Sequence, residues 1–161
     1  MCPPTPADPL ASTAPPWVHL VVTDDDEPPA LPEPPPGFVV RTLDGGRCRT
    51  KRSLLADMAR VLAFPAHFGR TWDALEDCLT DLEWLPGTGY RLVILAADRL
   101  LARDPAGYAT LVALLEDVGR AWGTSATGHP GRAAVAFHTV LVVPAHRRSA
   151  RADWSVAPLV R

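Results

Sequence analysis

The order of apolar segments along the chain is the feature that most constrains its fold. Apolar, β-type segments at 38–43, 91–96 and 134–143 are separated by stretches with helical periodicity rather than by tight hairpin turns. Strands that are joined through helices run parallel to one another. The two later segments contain continuously apolar runs, as expected when helices cover a sheet. The sequence therefore predicts an α/β fold with a three-stranded parallel sheet covered by helices.

The segment from Trp72 to Trp84 contains carboxylates and no basic residue. Wound as a helix at about 100° per residue, it separates its apolar side chains from its acidic ones. The apolar side consists of Trp72, Ala74, Leu75, Cys78, Leu79 and Leu82. The other side, which we call the acidic ridge, consists of Asp73, Glu76, Asp77 and Asp81. Like-charged pairs one turn apart cost roughly 0.2–0.5 kcal/mol each, so an uncompensated ridge suggests a basic partner.

The start of this helix is well specified. Gly69 can turn the chain, Thr71 can cap the first free amides, and Asp73 then lies beside the positive end of the helix dipole. An acidic first turn followed by a solvated face is also ordinary helix design. The pattern alone leaves a binding surface and a solvated surface equally open.

The residues around this helix match a longer motif, Tyr/His-Phe-Gly-x-x-Trp/Leu-Asp-Ala-Leu-x-Asp-x-Leu. The matching residues are His67, Phe68, Gly69, Trp72, Asp73, Ala74, Leu75, Asp77, Cys78 and Leu79. This stretch resembles the binding loop and second helix of the barstar family of ribonuclease inhibitors. The resemblance continues, in element order, over about residues 37–144. It implies a barstar-like fold and an intracellular inhibitor whose partner is a basic, extracellular-type ribonuclease or a nuclease toxin.

The resemblance also assigns roles to single residues. Asp73 and Asp77 would take the place of RNA phosphates in the active site of a basic nuclease. His67 stands where the family inserts an aromatic side chain, and Asp117, or alternatively Glu116, aligns with a further acidic contact. The predicted partner-binding residues are His67, Phe68, Gly69, Thr71, Asp73, Glu76, Asp77, Asp81 and Asp117.

Two departures from the family pattern bear on specificity. Glu76 replaces a Trp between the two central carboxylates, and Asp81-Leu82 replaces Gly-Trp. Both changes add negative charge and remove an aromatic side chain, which predicts a more basic target surface. A barstar-like fold can also serve as an immunity or interaction module for a basic partner that is not a ribonuclease.

For catalysis the sequence offers little. It contains no G-x-S-x-G, H-E-x-x-H or G-x-x-x-x-G-K-[ST] motif. Asp73 and Asp77, one helical turn apart, would be the Mg²⁺ ligands of a phosphoryl-transfer enzyme if the chain were one. We therefore predict no catalytic residue, no cofactor and no metal site, with three classes still open: nuclease inhibitor, interaction module and metal-dependent enzyme.

The prolines at the front of the chain and the arginines at its end divide it into three parts. Residues 1–36 form a Pro-rich extension whose β-like segment 17–22 would add an edge strand to the sheet. Residues 37–146 form the barstar-like domain, and residues 147–161 form a basic tail. The acidic cluster at 24–27 is interpreted as a solvated turn in preference to a cation site, because no spaced loop of ligands follows it.

Composition narrows the remaining classes. At 161 residues and net charge −2, the chain has room for one hydrophobic core. No run of about 18 apolar residues is present, and the N-terminus lacks the pattern of a secretion signal, so we expect a cytoplasmic protein without membrane contact. Cys2, Cys48 and Cys78 lack CxxC spacing, which predicts reduced thiols. The expected assembly is a monomer that binds its protein partner 1:1, without direct nucleic-acid contact.

Overall fold

The structure, a computed structural model, describes residues 8–24, 29–124, 133–150 and 157–158. Most of the acidic cluster at 24–27, Cys2 and much of the basic tail lie outside these ranges. The helices and strands are β1 Val18–Thr23, β2 Phe38–Asp44, α1 Lys51–Val61, α2 Trp72–Asp81, β3 Gly89–Leu95, α3 Pro105–Gly123, β4 Ala136–Pro144 and β5 Ala157–Pro158. Among the described residues, none of the helices has the length and apolar character needed to cross a lipid bilayer.

The strands form one sheet in the order β2-β3-β4-β1-β5, and every pairing is parallel. Three of them, β2, β3 and β4, are the predicted strands, so the predicted α/β fold with a parallel sheet is confirmed. The N-terminal strand β1 adds beside β4, with Leu20 opposite Leu141. It is not the outermost strand, because β5 pairs with its other side over two residues.

The sheet is covered differently on its two faces. One face packs against all three helices and forms the main core, which includes Leu43, Leu92 and Leu141 from the strands. The opposite face carries Val21, Val93, Val140 and Val142, which pack against Leu10 and Leu31 from the N-terminal extension. We call residues 8–12 and 29–32 the N-terminal strap. Helices thus cover one face of the sheet and the N-terminal strap covers the other, whereas the sequence predicts a sheet that is covered by helices alone.

The N-terminal extension is also fixed to α3. A Cβ atom added at Gly119 would lie 2.3 Å from Cβ of Trp17, and one added at Gly123 would lie 2.3 Å from the carbonyl oxygen of Thr13. Real Cβ contacts are far longer, so the backbone of α3 approaches the start of β1 as closely as only glycine allows. The guanidinium of Arg120 then lies over the Trp17 ring, 5.4 Å from its centroid.

Candidate functional site

The first turn of α2 forms as its sequence predicts. The Thr71 hydroxyl oxygen accepts a hydrogen bond from the backbone N–H of Ala74 at 3.1 Å, and Asp73 lies in the first turn. The residue that reverses the chain before this cap is Arg70, with φ 52° in the left-handed region, whereas Gly69 does not have a positive φ. The loop leading into α2 therefore turns at Arg70.

The inner side of α2 is fixed to the core. Leu75 and Leu79 are fully buried and Leu82 is 1% exposed, so the predicted apolar face is confirmed. The indole N–H of Trp122 on α3 donates a buried hydrogen bond of 2.8 Å to the carbonyl oxygen of Leu79. This bond satisfies a backbone acceptor of the last turn of α2. The helix is thus held from both its side chains and its backbone.

The outer side of α2 presents the acidic ridge to solvent. Asp73, Glu76 and Asp77 are exposed, and Asp81 is half-buried. Within the described ranges, none of the ion pairs with Lys or Arg involves Asp73, Glu76 or Asp77. These carboxylates are therefore fixed in position by a rigid helix while their charges stay available to a partner.

A groove runs between the last turns of α2 and the loop that precedes it. Its volume is about 480 Å³, and it is lined by Pro65, His67, Asp77, Cys78, Asp81, Glu83 and Trp84. The structure thus brings the predicted residues His67, Asp77 and Asp81 together, while Asp73 and Glu76 lie outside the groove on the open side of the helix. Glu83 and Trp84 also line the groove, although they are not among the partner-binding residues that the sequence predicts. Their place in the sequence, directly after the ridge, could have indicated that they belong to the same surface.

Aromatic side chains hold the loop that carries His67. The rings of Phe64 and Phe68 meet edge to face with centroids 4.9 Å apart, and Phe64 contacts the Trp84 ring in the same way at 6.0 Å. The Trp84 indole N–H donates to the carbonyl oxygen of Leu62 at 2.9 Å. Phe68 is half-buried against the core, so it supports the loop from inside, and His67 is the exposed residue beside it.

The loop begins with a strained residue. Ala63 is the second residue after the end of α1 and has φ 52°, and the N–H of Phe64 donates to the carbonyl oxygen of Ala59 at 2.9 Å, which is the Schellman pattern of a helix end. A left-handed conformation costs a residue with a Cβ about 1–2 kcal/mol, and glycine avoids this cost.

Replacing Ala63 with glycine should therefore stabilise the protein. The relief of strain exceeds the extra chain entropy that glycine loses on folding, which is about 0.4–1 kcal/mol. We expect the free energy of unfolding to rise by about 0.5–1 kcal/mol, measured by urea denaturation. Ala59→Gly, inside α1, is the matched control and should destabilise by about 1 kcal/mol. A loss of stability in Ala63→Gly would contradict the assignment of strain to this position.

Asp117 lies on α3 and is already paired. Its carboxylate is 2.6 Å from the Arg120 guanidinium, and both side chains are about half exposed. Arg120 is itself positioned over Trp17. The charge of Asp117 is thus partly compensated within the chain, unlike the charges of Asp73 and Asp77. Glu116, the alternative candidate, is half-buried.

The thiol of Cys78, which lines the groove, is not activated as a nucleophile. Burial, together with the neighbouring carboxylates Asp77 and Asp81, raises the pKa of Cys78 above its ordinary value, so the thiol stays protonated at neutral pH. This agrees with a packed thiol rather than a nucleophile. In the part of the chain that the structure describes, no group of three or more His, Cys, Asp or Glu side chains is arranged to hold a metal ion.

The sequence model of one protein family matches residues 38–141, and that family is described as Barstar (barnase inhibitor). The match runs from β2 into β4 and includes the loop, the groove and the acidic ridge. The chain belongs to the barstar family. Among curated proteins, none matches it significantly.

Membership in the barstar family carries a general function. Its members are inhibitors that bind ribonucleases, and their role is inhibitory rather than enzymatic. The match excludes residues 1–37, so β1 and the N-terminal strap lie outside the part of the chain that the family shares. The acidic ridge lies inside it, on the barstar helix that the sequence motif first indicated.

Proposed function

We propose that this barstar-family chain inhibits a basic ribonuclease or nuclease toxin by occupying its active site with the acidic ridge. The observation that carries the proposal is the exposure of Asp73 and Asp77 on a helix whose other side is fixed in the core. A nuclease active site contains Arg, Lys and His groups that attract phosphates. Carboxylates held in a fixed arrangement can pair with the same groups.

The groove extends this surface. His67 lies at its edge, and Asp77, Asp81 and Glu83 supply carboxylates along its walls. A long basic side chain of the target, or a histidine ring, fits a groove of this charge and size. We propose that Phe68 and Gly69 act by shaping the loop and that Thr71 acts as the helix cap. Asp117 then makes a weaker, peripheral contact because Arg120 competes for it.

We further propose that the chain acts in the cytoplasm as a monomer that forms a 1:1 complex. The free thiols of Cys48 and Cys78 support a reducing compartment. Neither a cofactor nor a metal takes part in this mechanism, because the inhibitor acts by occupation alone.

The test begins with capture of the target by the purified full chain from an extract of the producing organism, followed by mass spectrometry. The captured enzyme is then titrated with the chain while hydrolysis of a fluorogenic RNA is recorded. We expect activity to fall to zero at one equivalent. A captured basic protein without nuclease activity would instead favour an interaction module, and an RNA-cleaving activity of the chain itself would contradict the proposal.

Salt dependence tests the role of charge. If opposite charges steer the encounter, the association rate constant should fall by about tenfold or more between roughly 25 mM and 500 mM NaCl. The dissociation rate constant should change much less, because it depends on contacts already formed. Stopped-flow fluorescence measures both. An association rate that is flat over this range would exclude the acidic ridge as the docking surface.

A further inference from the structure

A buried polar cluster lies between the N-terminal strap and the sheet, on the face opposite α2. His19 on β1, Arg91 on β3 and His138 on β4 project from neighbouring strands and are 2%, 3% and 0% exposed. Around them the contact between strap and sheet is apolar and small, and Leu10 is the side chain of the strap that is fully buried in it. The cluster is therefore a large part of what joins the strap to the sheet.

The polar contacts of the cluster lead into the N-terminal extension. Arg91 pairs with the Asp8 carboxylate at 3.0 Å and donates to the carbonyl oxygen of Pro32 at 2.6 Å. Nε2 of His138 donates to the carbonyl oxygen of Ser12 at 2.6 Å. The strap thus supplies a carboxylate and two carbonyl oxygens to side chains that would otherwise be buried without partners.

The two histidines share a single hydrogen bond, in which Nε2 of His19 lies 2.8 Å from Nδ1 of His138. Neutral His138 donates its one N–H to the carbonyl oxygen of Ser12, so its Nδ1 carries no proton and accepts from His19. The N–H of neutral His19 is then the one that lies between the two rings. Two neutral rings therefore supply the N–H groups of both of these hydrogen bonds without a further proton.

A third proton on the pair would add a positive charge beside Arg91. Asp8 is the only carboxylate that faces the cluster among the residues the structure describes, and it already pairs with Arg91. Two buried cations would then share one anion, which is unfavourable at low dielectric. The closed strap consequently disfavours protonation of the pair.

The pKa of His19 is lowered from 6.5 to about 4, mainly by burial and next by the neighbouring His138, with Arg91 acting in the same direction and Asp8 and Pro16 opposing. Burial also lowers the pKa of His138, with Arg91 acting in the same direction and Ser12, Asp8 and Pro16 opposing. A histidine released into water binds its proton near pH 6.5. The stability of the closed form is thus fully present above about pH 6.5 and is lost as pH falls toward 4.

We propose that the N-terminal strap is a proton-sensitive closure, which is shut on the sheet at neutral pH and opens on acidification when His19 and His138 take up protons. The helical side stays folded in this transition. It rests on the main core, which contains Leu75, Leu79 and Leu111, whereas the strap has two apolar anchors, Leu10 and Leu31. Opening hydrates the charged cluster without disturbing α2.

Methyl NMR of the full chain, titrated from pH 7.5 to 4.5, distinguishes opening of the strap from general unfolding. The Leu10 and Leu31 methyl signals should move toward random-coil positions, with a midpoint between about pH 4.5 and 6.5. The opening equilibrium should rise about tenfold or more between pH 7 and pH 5. The Leu79 methyl signal should stay at its native position. A static Leu10 signal at pH 4.5, or joint movement of Leu10 and Leu79, would overturn the proposal.

Substitution assigns the effect to the pair. In the double variant His19→Gln and His138→Gln, neither side chain takes up a proton, so the pH response of the Leu10 methyl should be lost. His67→Gln, which removes an exposed histidine outside the cluster, should keep the wild-type response. An unchanged pH response in the double variant would contradict the proposal. If the strap of the double variant is already open at pH 7.5, the proposal stands or falls on the titration of the wild type.

Discussion

Replacing Asp77 with alanine should weaken the complex with the nuclease target by at least about thirtyfold. Asp77 is exposed on α2 and also lines the groove beside His67, so it lies where the two parts of the proposed surface meet. In the complex it would pair with a cation of the enzyme that is itself removed from water. Truncating one partner of such a pair strands the opposing charge, which costs about 2–5 kcal/mol. Isothermal titration calorimetry with the captured nuclease measures the loss.

The stability of the free chain should hardly change in Asp77→Ala. The substitution removes like-charged contacts with Asp73 and Asp81, one turn away on either side, and alanine favours helix. Glu33→Ala, which removes an exposed carboxylate outside the ridge, controls for net charge and should bind like the wild type. If Asp77→Ala and Asp73→Ala both bind as tightly as the wild type, the ridge does not mimic phosphates.

Replacing Leu79 with alanine should cost about 2–5 kcal/mol of unfolding free energy. Leu79 is fully buried between α2 and the main core, and its carbonyl oxygen accepts from Trp122. The substitution removes apolar contacts and leaves a cavity that the surrounding helices fill only in part. Urea denaturation followed by circular dichroism measures the change.

A control on the same helix separates packing from helix propensity. Glu76→Ala alters an exposed side chain of α2 and should change stability by no more than about 0.5 kcal/mol. Equal stability of Leu79→Ala and Glu76→Ala would contradict the assignment of the buried face.

The central part of the fold was readable from the sequence because local and global signals agree there. In α2 the apolar period, the Thr71 cap and the loop motif all indicate the same helix and the same buried face, which the structure confirms through Leu75 and Leu79. The continuously apolar runs within β3 and β4 likewise indicate parallel strands that are covered on both faces. Such segments need no knowledge of distant residues.

The remaining features depend on contacts between residues far apart in the chain. Arg91 interrupts an apolar strand, but nothing local shows that its carboxylate is Asp8, 83 residues earlier. The ion pair that compensates the charge of Asp117 could have been predicted, because Arg120 follows Asp117 by three positions, a spacing that favours ion pairing on a helix. A glycine inside a helix, here Gly119 of α3, indicates that another part of the chain packs closely against it, but the sequence does not show that this part is Trp17.

The position of β1 has a consequence for solubility. In the full chain β1 pairs with the outer edge of β4 along the whole of β1, from Val18 opposite Thr139 to Thr23 opposite Pro144. A fragment limited to residues 38–141, the part that the family model matches, would leave this apolar edge with its N–H and C=O groups unpaired. Unpaired strand edges of this kind recruit strands from neighbouring molecules. Because β1 pairs these groups in the full chain, we expect the full chain to self-associate less than this fragment, an effect separate from any contact with a nuclease.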